Sequence, residues 1–332
     1  MKAPLAAWAA LLAASAACAQ EAAPVFHATS ELVLLDVQVI HRKTKTALGS
    51  LQAKDFELYE DGVAQQIAFF DHDQLPLSIV FLFDLTDSVR GVLRRLAAGA
   101  RSALDHLKPE DETAVMAYAA SAHVVDGFTT DRQRTADAIT RAAGMKQREA
   151  AFFNEAVYRA ACLLEQSRNP SSRRVVIWLT DNFPNAASAF NRRHYGQSLG
   201  GAPPHSEEEA LRELHESGTV VAALLLKDPL AVPWASLEMA IEAPARKRNP
   251  AGDARKYAEL TGGIALGRGG KKVEDRLAEI IDDLRSRYTI GYRPSETKPA
   301  GTFCKLRVAL APGAPLRPQE WTVIARAGYY RK

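Results

Sequence analysis

Two acidic and two hydroxyl residues follow apolar segments of the chain and together have the chemistry of a metal-binding site. Asp84 ends the apolar segment 75–84, and Thr86 and Ser88 follow at alternate positions. Asp181 ends a second segment, 173–181, whose central residues are apolar. If both segments are strands of an open α/β sheet, their carboxyl ends meet where such sheets bind ligands. Oxygen ligands without Cys or His suit Mg²⁺, Mn²⁺ or Ca²⁺ better than zinc, so these residues predict a divalent-cation site.

A simpler interpretation of the same residues is that they start a helix. A helix is predicted from about residue 89 to 108, since apolar side chains recur there at helical spacing and Pro109 follows. Asp84 and Ser88 are both residue types that are favoured at the N-terminal cap of a helix. Asp87, between them, is expected to be solvated. The residues alone leave both interpretations open.

The segments around these residues alternate between strand-like and helix-like patterns. The predicted strands are nearly all apolar, which is typical of central strands buried on both faces. They cover 75–84, 112–120, 173–181, 219–227 and 264–266. The predicted helices cover 89–108, 131–143, 153–167, 206–217, 253–261 and 273–287. This order predicts an α/β fold with a doubly wound, mainly parallel sheet, which is Rossmann-like in its general layout.

Strand-like segments also occupy both ends of the chain. They cover 31–40, 56–60 and 65–70 near the amino end, and 288–292, 304–310 and 320–330 near the carboxyl end. A tight turn is predicted at Asp61-Gly62. A few isolated strands are not stable alone, so the two ends are expected to build one small β module beside the α/β domain. The predicted divisions are 26–73 for its N-terminal strands, 74–287 for the α/β domain and 288–332 for its C-terminal strands.

The first 19 residues have the layout of a secretory signal peptide. Lys2 precedes an apolar run from Leu5 to Ala14, and small residues at 17 and 19 complete an A-x-A cleavage pattern. Cys18 leaves lipid anchoring open as an alternative, although Ser15 stands where lipoprotein signals usually carry leucine. No later segment reaches 18 uninterrupted apolar residues. The exported chain is therefore expected in the periplasm or outside the cell, without a transmembrane segment.

Composition excludes several classes of protein. The chain has 332 residues, of which 47% are hydrophobic, and a formal charge of +3. This hydrophobic share supports a large core and excludes a mainly disordered chain. The small net charge gives no basic surface of the kind that nucleic-acid binding requires. Cys162 and Cys304 are expected to be unpaired structural thiols, although a disulfide between them stays open outside the cytoplasm.

Two motifs resemble the metal-ion-dependent adhesion site of von Willebrand factor type A (VWA) domains: D-x-T-x-S after a buried strand, and a later strand that ends in Leu-Thr-Asp. The chain is further similar to the bacterial secreted VWFA-related proteins. Five segments carry this resemblance, which covers nearly the whole exported chain: Leu32 to Val39, Asp55 to Gly62, Leu75 to Asp84, Tyr288 to Tyr292 and Arg326 to Tyr330. The resemblance implies a VWA fold for the α/β domain.

The resemblance also implies a role for each site residue. Thr86 and Ser88 would contact the metal ion, in the first instance Mg²⁺, through their hydroxyl oxygens. Asp84 and Asp181 would hold the ion at least partly through water. The ion would then keep an open position for an Asp or Glu side chain of a partner protein. This arrangement implies binding rather than turnover.

Two positions depart from the VWA pattern. VWA sites usually add a threonine from a second loop, and Ala151 occupies that position here. Glu149 is the nearest residue that could supply an oxygen instead. Asn182 replaces the glycine that usually follows the aspartate, a mild change because Asn tolerates left-handed backbone geometry. The site is therefore expected to be incomplete, with weakened affinity for a metal ion.

Three functional classes compete for this chain. The first is a secreted protein-interaction or adhesion module that binds an unidentified protein, with or without a divalent cation. The second is a metal-independent scaffold of the cell envelope. The third is an enzyme, such as a phosphohydrolase with Asp84 as its nucleophile. It is disfavoured because Thr86 stands where D-x-D-x-[TS] phosphatases carry the general-acid carboxylate. The sequence therefore predicts a binding protein rather than an enzyme, and it leaves the oligomeric state open.

Overall fold

The strands and helices of the chain follow its apolar patterns. The computed structural model describes residues 32–44, 46–72, 75–119, 121–145, 151–182, 205–226, 253–295 and 298–331. The strands in these ranges are β1 (Val33–His41), β2 (Phe56–Glu60), β3 (Val63–Gln65), β4 (Ile67–His72), β5 (Leu77–Asp84), β6 (Glu112–Tyr118), β7 (Ala122–Thr129), β8 (Arg173–Thr180), β9 (Val220–Leu225), β10 (Ala265–Gly267), β11 (Tyr288–Tyr292), β12 (Phe303–Leu310), β13 (Trp321–Ala325) and β14 (Gly328–Tyr330). The helices are α1 (Asp87–Leu104), α2 (Arg132–Gly144), α3 (Phe153–Leu164), α4 (Glu207–Ser217), α5 (Ala254–Leu260) and α6 (Val273–Arg285). The predicted signal peptide lies outside the described residues.

The central sheet has six strands in the order β10-β9-β8-β5-β6-β7. All of its pairs are parallel except that of β6 and β7 at one edge. β5, β6 and β9 are buried along their whole length, as expected for strands that are covered on both faces. Helices α1, α2 and α6 pack against one face, and α3, α4 and α5 pack against the other. The predicted fold class is therefore confirmed.

Among the elements of the α/β domain, β7 and α1 differ most from the sequence prediction. The sequence pattern does not predict β7, because this edge strand leaves Val124 54% exposed and its pairing with β6 is interrupted by register shifts. α1 runs from residue 87 to 104, whereas the apolar spacing predicts 89 to 108. Leu107 still packs in the core after the helix has ended, which is why the apolar stripe extends past the helix.

Strands from both ends of the chain form two antiparallel four-stranded sheets, with the orders β13-β1-β11-β4 and β14-β12-β2-β3. Apolar side chains of both sheets, among them Leu35 and Leu58, share one core, so the β module of the predicted fold class is a β-sandwich. Asp61 and Gly62 form the predicted turn between β2 and β3, with φ angles of 49° and 87° that suit a two-residue hairpin. The segment 320–330, predicted as one strand, is divided between the two sheets.

Buried arginines join the β-sandwich to the α/β domain. Arg173, the first residue of β8, is 3% exposed, and its Nε donates to the Asp36 carboxylate of β1 at 2.6 Å. Its Nη1 donates to the backbone carbonyl of Leu284 at 2.6 Å. Arg287 is fully buried, and its Nη1 donates to the carbonyl of Gly262 at 2.7 Å. We call these contacts the arginine junction.

Residues Leu32–Lys332 form one compact unit. The divisions at residues 74 and 288 therefore stay predictions. Among the described residues, none of the helices has the length and apolar character needed to cross a membrane. Cys162 and Cys304 are both free thiols, and Cys304 is buried.

Candidate metal centre

The two motifs predicted to share a site meet at the carboxyl ends of two central strands, and we call this end of the sheet its carboxyl edge. β5 and β8 are neighbouring parallel strands, with Phe83 opposite Leu179. The next residues along the two strands, Asp84 and Thr180, are therefore adjacent. The Thr180 hydroxyl donates to Oδ2 of Asp84 at 3.0 Å, across 96 residues of sequence. Parallel pairing thus brings together two motifs that are far apart along the chain.

Hydrogen bonds from several elements hold the Asp84 carboxylate, which is fully buried. The backbone N–H of Thr86 donates to its Oδ1 at 2.9 Å, and the Tyr118 hydroxyl donates to its Oδ2 at 3.2 Å. Nε1 of Trp178 donates to the Tyr118 oxygen at 2.9 Å, which orients that hydroxyl. Sequence analysis missed Tyr118, Trp178 and Thr180 as parts of the site. The only available signal is that buried hydroxyl and indole groups need partners.

Two acidic groups dominate the electrostatics of this edge. Burial, followed by the negative charge of Asp181, raises the pKa of Asp84 to about 6. Hydrogen bonds from Thr86 and Thr180 oppose this shift, because they stabilise the charged carboxylate. Asp181 is itself 8% exposed, so two acidic side chains interact in a setting that water hardly screens. A bound cation would relieve their repulsion.

Thr86 lies where the chain turns from β5 into α1. It is the N-terminal cap residue of α1, is 7% exposed, and hydrogen-bonds Asp84 through its hydroxyl. α1 begins at Asp87, so Ser88 lies in the first helical turn. The alternative in which Asp84 or Ser88 is the N-cap is therefore wrong. The side chain of Ser88 lies outside the described part of the structure, and its role as a ligand stays a prediction.

Ala151 occupies the position where the VWA resemblance implies a threonine ligand, so no hydroxyl group is available there. Ala151 is fully buried and packs with Phe153 in the apolar core. Glu149 lies outside the described residues. Asn154, in the first turn of α3, is a buried polar residue that sequence analysis missed, and it accepts a hydrogen bond from the Tyr257 hydroxyl at 2.7 Å.

Asn182 links the end of β8 to the start of α5. Its φ angle of 58° is the left-handed conformation for which Asn was considered a tolerable replacement of glycine. Its backbone N–H donates to the Thr180 hydroxyl at 3.0 Å. Its side chain donates to Oδ1 of Asp253 at 3.0 Å and accepts from the backbone N–H of Ala254 at 2.8 Å. The sequence does not predict these side-chain contacts, because their partners lie 71 and 72 residues further along the chain.

The donor groups at this edge fit a hard divalent cation. Asp84, Thr86 and Asp181 offer carboxylate and hydroxyl oxygens, which Mg²⁺, Mn²⁺ and Ca²⁺ prefer. Both oxygens of Asp84 already accept hydrogen bonds within the protein. That arrangement is compatible with the water-mediated contact that the VWA resemblance implies for Asp84. Whether these residues bind a metal stays a prediction.

A second acidic cluster, in the β-sandwich, carries its own counter-charge. Glu60, Asp61 and Cys304 place possible ligand atoms within 4.8 Å of one another. Nζ of Lys298 lies 2.5 Å from Asp61 Oδ2 and 3.5 Å from Glu60 Oε1. The Tyr292 hydroxyl donates to Glu60 at 2.5 Å. Because the Lys298 ammonium group already occupies this cluster, it is an internal ion pair rather than a second metal centre.

One known family matches the segment of the chain that contains the candidate site. Residues 79–183 match the family model of the von Willebrand factor type A domain. The matched segment includes Asp84, Thr86, Ser88 and Asp181. The chain therefore contains a VWA domain. A search of curated proteins finds no match to it.

Several solved structures are similar to this chain at low sequence identity. The conserved hypothetical protein BatB from Bacteroides thetaiotaomicron is 13% identical, with a TM-score of 0.40, over 63% of this chain and 98% of its own. The vWF domain of the type V pili tip protein Mfa5 from Porphyromonas gingivalis is 10% identical, with a TM-score of 0.40, over 64% and 94%. The pilus adhesin SpaC from Lactobacillus rhamnosus GG is 9% identical, with a TM-score of 0.45, over 89% and 47%. Similarity at this level transfers neither a ligand nor an activity.

Proposed function

We propose that this chain is an exported protein-interaction or adhesion module that recognises an acidic side chain of a partner protein through a divalent cation. Asp84, Thr86, Ser88 and Asp181 hold the cation, in the first instance Mg²⁺. The observation that carries the proposal is the parallel pairing of β5 with β8, which places Asp84 in hydrogen-bond contact with Thr180, the residue before Asp181. The negative charge of Asp181 accordingly helps raise the pKa of Asp84. Like charges with little access to water destabilise a fold, and a bound cation removes that penalty.

A divalent cation supplies a positive centre that attracts one further carboxylate. The protein residues supply its position and its surroundings. Tyr118 and Thr180 hold the Asp84 carboxylate in one orientation, and the start of α1 holds Thr86 beside it. The burial of Asp84 lowers the local dielectric constant, which strengthens every charge interaction at this edge. An Asp or Glu side chain of a partner protein is the ligand that this charge distribution favours.

Calorimetric titration of MgCl₂ and MnCl₂ into the purified protein tests the metal part of the proposal. The wild-type protein is expected to bind one cation with modest affinity, because Ala151 contributes no ligand oxygen. Asp84→Asn is expected to reduce the binding heat to the level of buffer, since it removes one of the two negative charges. Asp71→Asn in the β-sandwich is the matched control, as the Asp71 carboxylate accepts the backbone N–H of His72 and lies on a different sheet.

The same proteins test recognition of an acidic partner. Immobilised wild-type protein is expected to retain Asp- and Glu-containing peptides in the presence of Mg²⁺ and to release them on addition of a chelator. Peptides in which Asn and Gln replace the acidic residues are expected to pass through. Identical binding heats for wild type and Asp84→Asn would contradict the cation site. Retention that is unaffected by chelator would contradict recognition through the cation.

One observation favours a second candidate function, a metal-independent scaffold of the cell envelope. Ala151 is part of the apolar core at the position where VWA sites carry a threonine ligand. A protein that has lost metal use would keep the fold and the buried Asp84 network. Titration separates the two candidates, because the scaffold predicts no cation-dependent heat in the wild-type protein.

A further inference from the structure

α5 is a short helix whose first residues are attached to the candidate metal centre. The Asn182 side chain, directly after Asp181, donates to Oδ1 of Asp253 at 3.0 Å and accepts from the Ala254 N–H at 2.8 Å. The same Oδ1 of Asp253 caps the helix by accepting from the Arg255 N–H at 2.9 Å. The residue that follows Asp181 is thus bound to the N-terminal turn of α5 through both functions of its side-chain amide.

The middle of α5 makes a second contact with residues around the site. Tyr257 is 1% exposed, and its hydroxyl donates to Oδ1 of Asn154 in the first turn of α3 at 2.7 Å. Its ring centroid lies 6.1 Å from that of Trp178, whose Nε1 binds the Tyr118 hydroxyl that donates to Asp84. α5 therefore contacts the groups that hold Asp84 as well as the residue next to Asp181.

The end of α5 is attached to the β-sandwich. The backbone N–H of Ala327 donates to the carbonyl of Leu260 at 2.9 Å, and Thr261 forms an antiparallel bridge with Arg326. The approach is close at Gly262, where an added Cβ would lie 2.5 Å from the Arg326 nitrogen and where φ is 75°. Only glycine suits this position. The segment between β13 and β14 thus contacts the carboxyl end of α5 directly.

We propose that α5 is a strut through which the β-sandwich positions the cation site, with Asn182 as the positioning residue for Asp181. This inference rests on the proposed function and adds the residue and helix that position its site. A helix of seven residues is about 10 Å long and has no stability of its own in water. Its place is therefore set by the attachments at its two ends and by the packing of Tyr257 in the core. Loss of the Asn182 attachment is therefore expected to loosen both the position of Asp181 and the contact between Leu260 and Ala327.

Asn182→Gly is the variant that removes the attachment with the least other change. Glycine adopts the positive φ of this position without strain, so the substitution deletes two side-chain hydrogen bonds and leaves the backbone. Asn169→Gly is the matched control. Asn169 precedes the amino end of β8, at the opposite end of this strand from Asn182. Its Oδ1 accepts the Ser171 N–H at 3.1 Å.

Two measurements are made on each protein: Mg²⁺ affinity by calorimetry, and amide hydrogen exchange of the metal-free protein around Ala327. We expect Asn182→Gly to weaken Mg²⁺ binding about five- to tenfold and to speed exchange at Ala327 by a similar factor, the size expected for one or two net hydrogen bonds. Asn169→Gly is expected to change neither value. Exchange without metal is a readout that does not depend on the cation site being functional.

The outcomes separate the strut from the proposed function. Unchanged exchange at Ala327 in Asn182→Gly overturns the strut, whatever the metal affinity. Faster exchange with unchanged Mg²⁺ affinity overturns the role of Asn182 in positioning Asp181. A wild-type protein that binds no Mg²⁺ overturns the proposed function and with it the positioning claim, while the exchange data still decide whether α5 connects the two regions.

A second variant tests the strut from the side of the sandwich. Gly262→Ala forces a Cβ against the backbone of Arg326, and it is expected to weaken Mg²⁺ binding although residue 262 lies at the far end of α5. Folding of this variant is checked by circular dichroism. If it is folded and binds Mg²⁺ like wild type, the strut is contradicted. If it does not fold, Asn182→Gly remains the deciding variant.

Discussion

Buried charged residues at the two ends of strand β8 have opposite kinds of neighbour. At its amino end, Arg173 is 3% exposed and pairs with Asp36 at 2.6 Å. At its carboxyl end, Asp181 faces a second acidic residue, Asp84, and helps raise its pKa. The first arrangement combines opposite charges and joins two parts of the fold. The second places like charges together, which does not stabilise a fold but favours a cation from outside.

The arginine junction, together with the neighbouring Arg326, holds more positive than negative charge. Burial lowers the pKa of Arg287 to about 10, and burial also lowers the pKa of Arg326. Asp36 opposes both shifts, so one carboxylate stabilises several guanidinium groups. The junction therefore depends on Asp36 and on backbone carbonyls, whereas the acidic edge depends on hydroxyl and N–H donors. The positively charged region is thus stabilised by hydrogen-bond acceptors, and the negatively charged region by hydrogen-bond donors.

The largest expected effect tests the structural end of this comparison. Arg173→Met keeps most of the aliphatic side chain but leaves Asp36 without its guanidinium partner, and it is expected to reduce the free energy of unfolding by about 3–5 kcal/mol. Urea denaturation measures this loss. Arg174→Met is the control, because Arg174 is only half-buried and donates to the Ser217 carbonyl at 3.1 Å. Its loss is expected to be about 1 kcal/mol. Equal losses of unfolding free energy in both variants would contradict the conclusion that the Arg173–Asp36 pair stabilises the fold more than an ordinary hydrogen bond.

The next largest effect tests the excess positive charge beside the junction. Burial, followed by the charge of Arg326, lowers the pKa of His215 to about 4, from an ordinary value of 6.5. Because the folded-state pKa is the lower one, the unfolded chain binds the proton first as the pH falls. Stability is therefore fully present above pH 6.5 and is lost on going down to pH 4, by about 3 kcal/mol at most.

His215→Gln removes this titration. The difference in unfolding free energy between wild type and His215→Gln, measured between pH 7.5 and 4, is expected to shift in favour of the variant as the pH falls. Other groups titrate in the same range, among them Asp283, whose burial raises its pKa to about 6. They are common to both proteins and cancel in the difference. Parallel stability curves would show that the His215 environment does not resist a positive charge.

The smallest expected effect tests the functional end. If Mg²⁺ relieves the repulsion between Asp84 and Asp181, it stabilises the wild-type protein by about 2.7 kcal/mol at a hundredfold excess over its dissociation constant, and by less at lower excess. Asp181→Asn is expected to lose most of this stabilisation. Thermal melting with Mg²⁺ and with chelator measures it. A shift of the same size in both proteins would mean that Mg²⁺ acts elsewhere on the molecule.

Features set by neighbouring residues were predictable from the sequence. The predicted helix over 206–217 is confirmed as α4, where Ser206 and Glu209 form a capping box within one helical turn. The Asp61-Gly62 turn and the apolar strands β5 and β8 were equally readable. The D-x-T-x-S motif indicated the edge where Asp84 and Thr86 meet. β7 was not readable, since an edge strand with one exposed face has a weak apolar pattern.

Contacts between segments that are distant in sequence could not be predicted from local patterns. Asp36 and Arg173 are separated by 137 residues, and the Asn182 side chain reaches an Asp253 that lies 71 residues further on. Tyr118 donates its hydroxyl to Asp84 although it stands in an apolar strand that offers no sign of this role. For Asn182, the sequence predicts the left-handed backbone, which is a local property, but not the side-chain contacts with Asp253 and Ala254, which are distant in sequence.

By itself, the order of residues determined which segments become strands and helices, since apolar periodicity and capping act over a few positions. It also determined that acidic and hydroxyl groups stand at strand ends. The tertiary structure decided which of those ends become neighbours, which charges share a buried space, and how α5 is held between the site and the β-sandwich. Strand order and helix packing are cooperative results of burying the whole apolar surface at once, and no single segment encodes them.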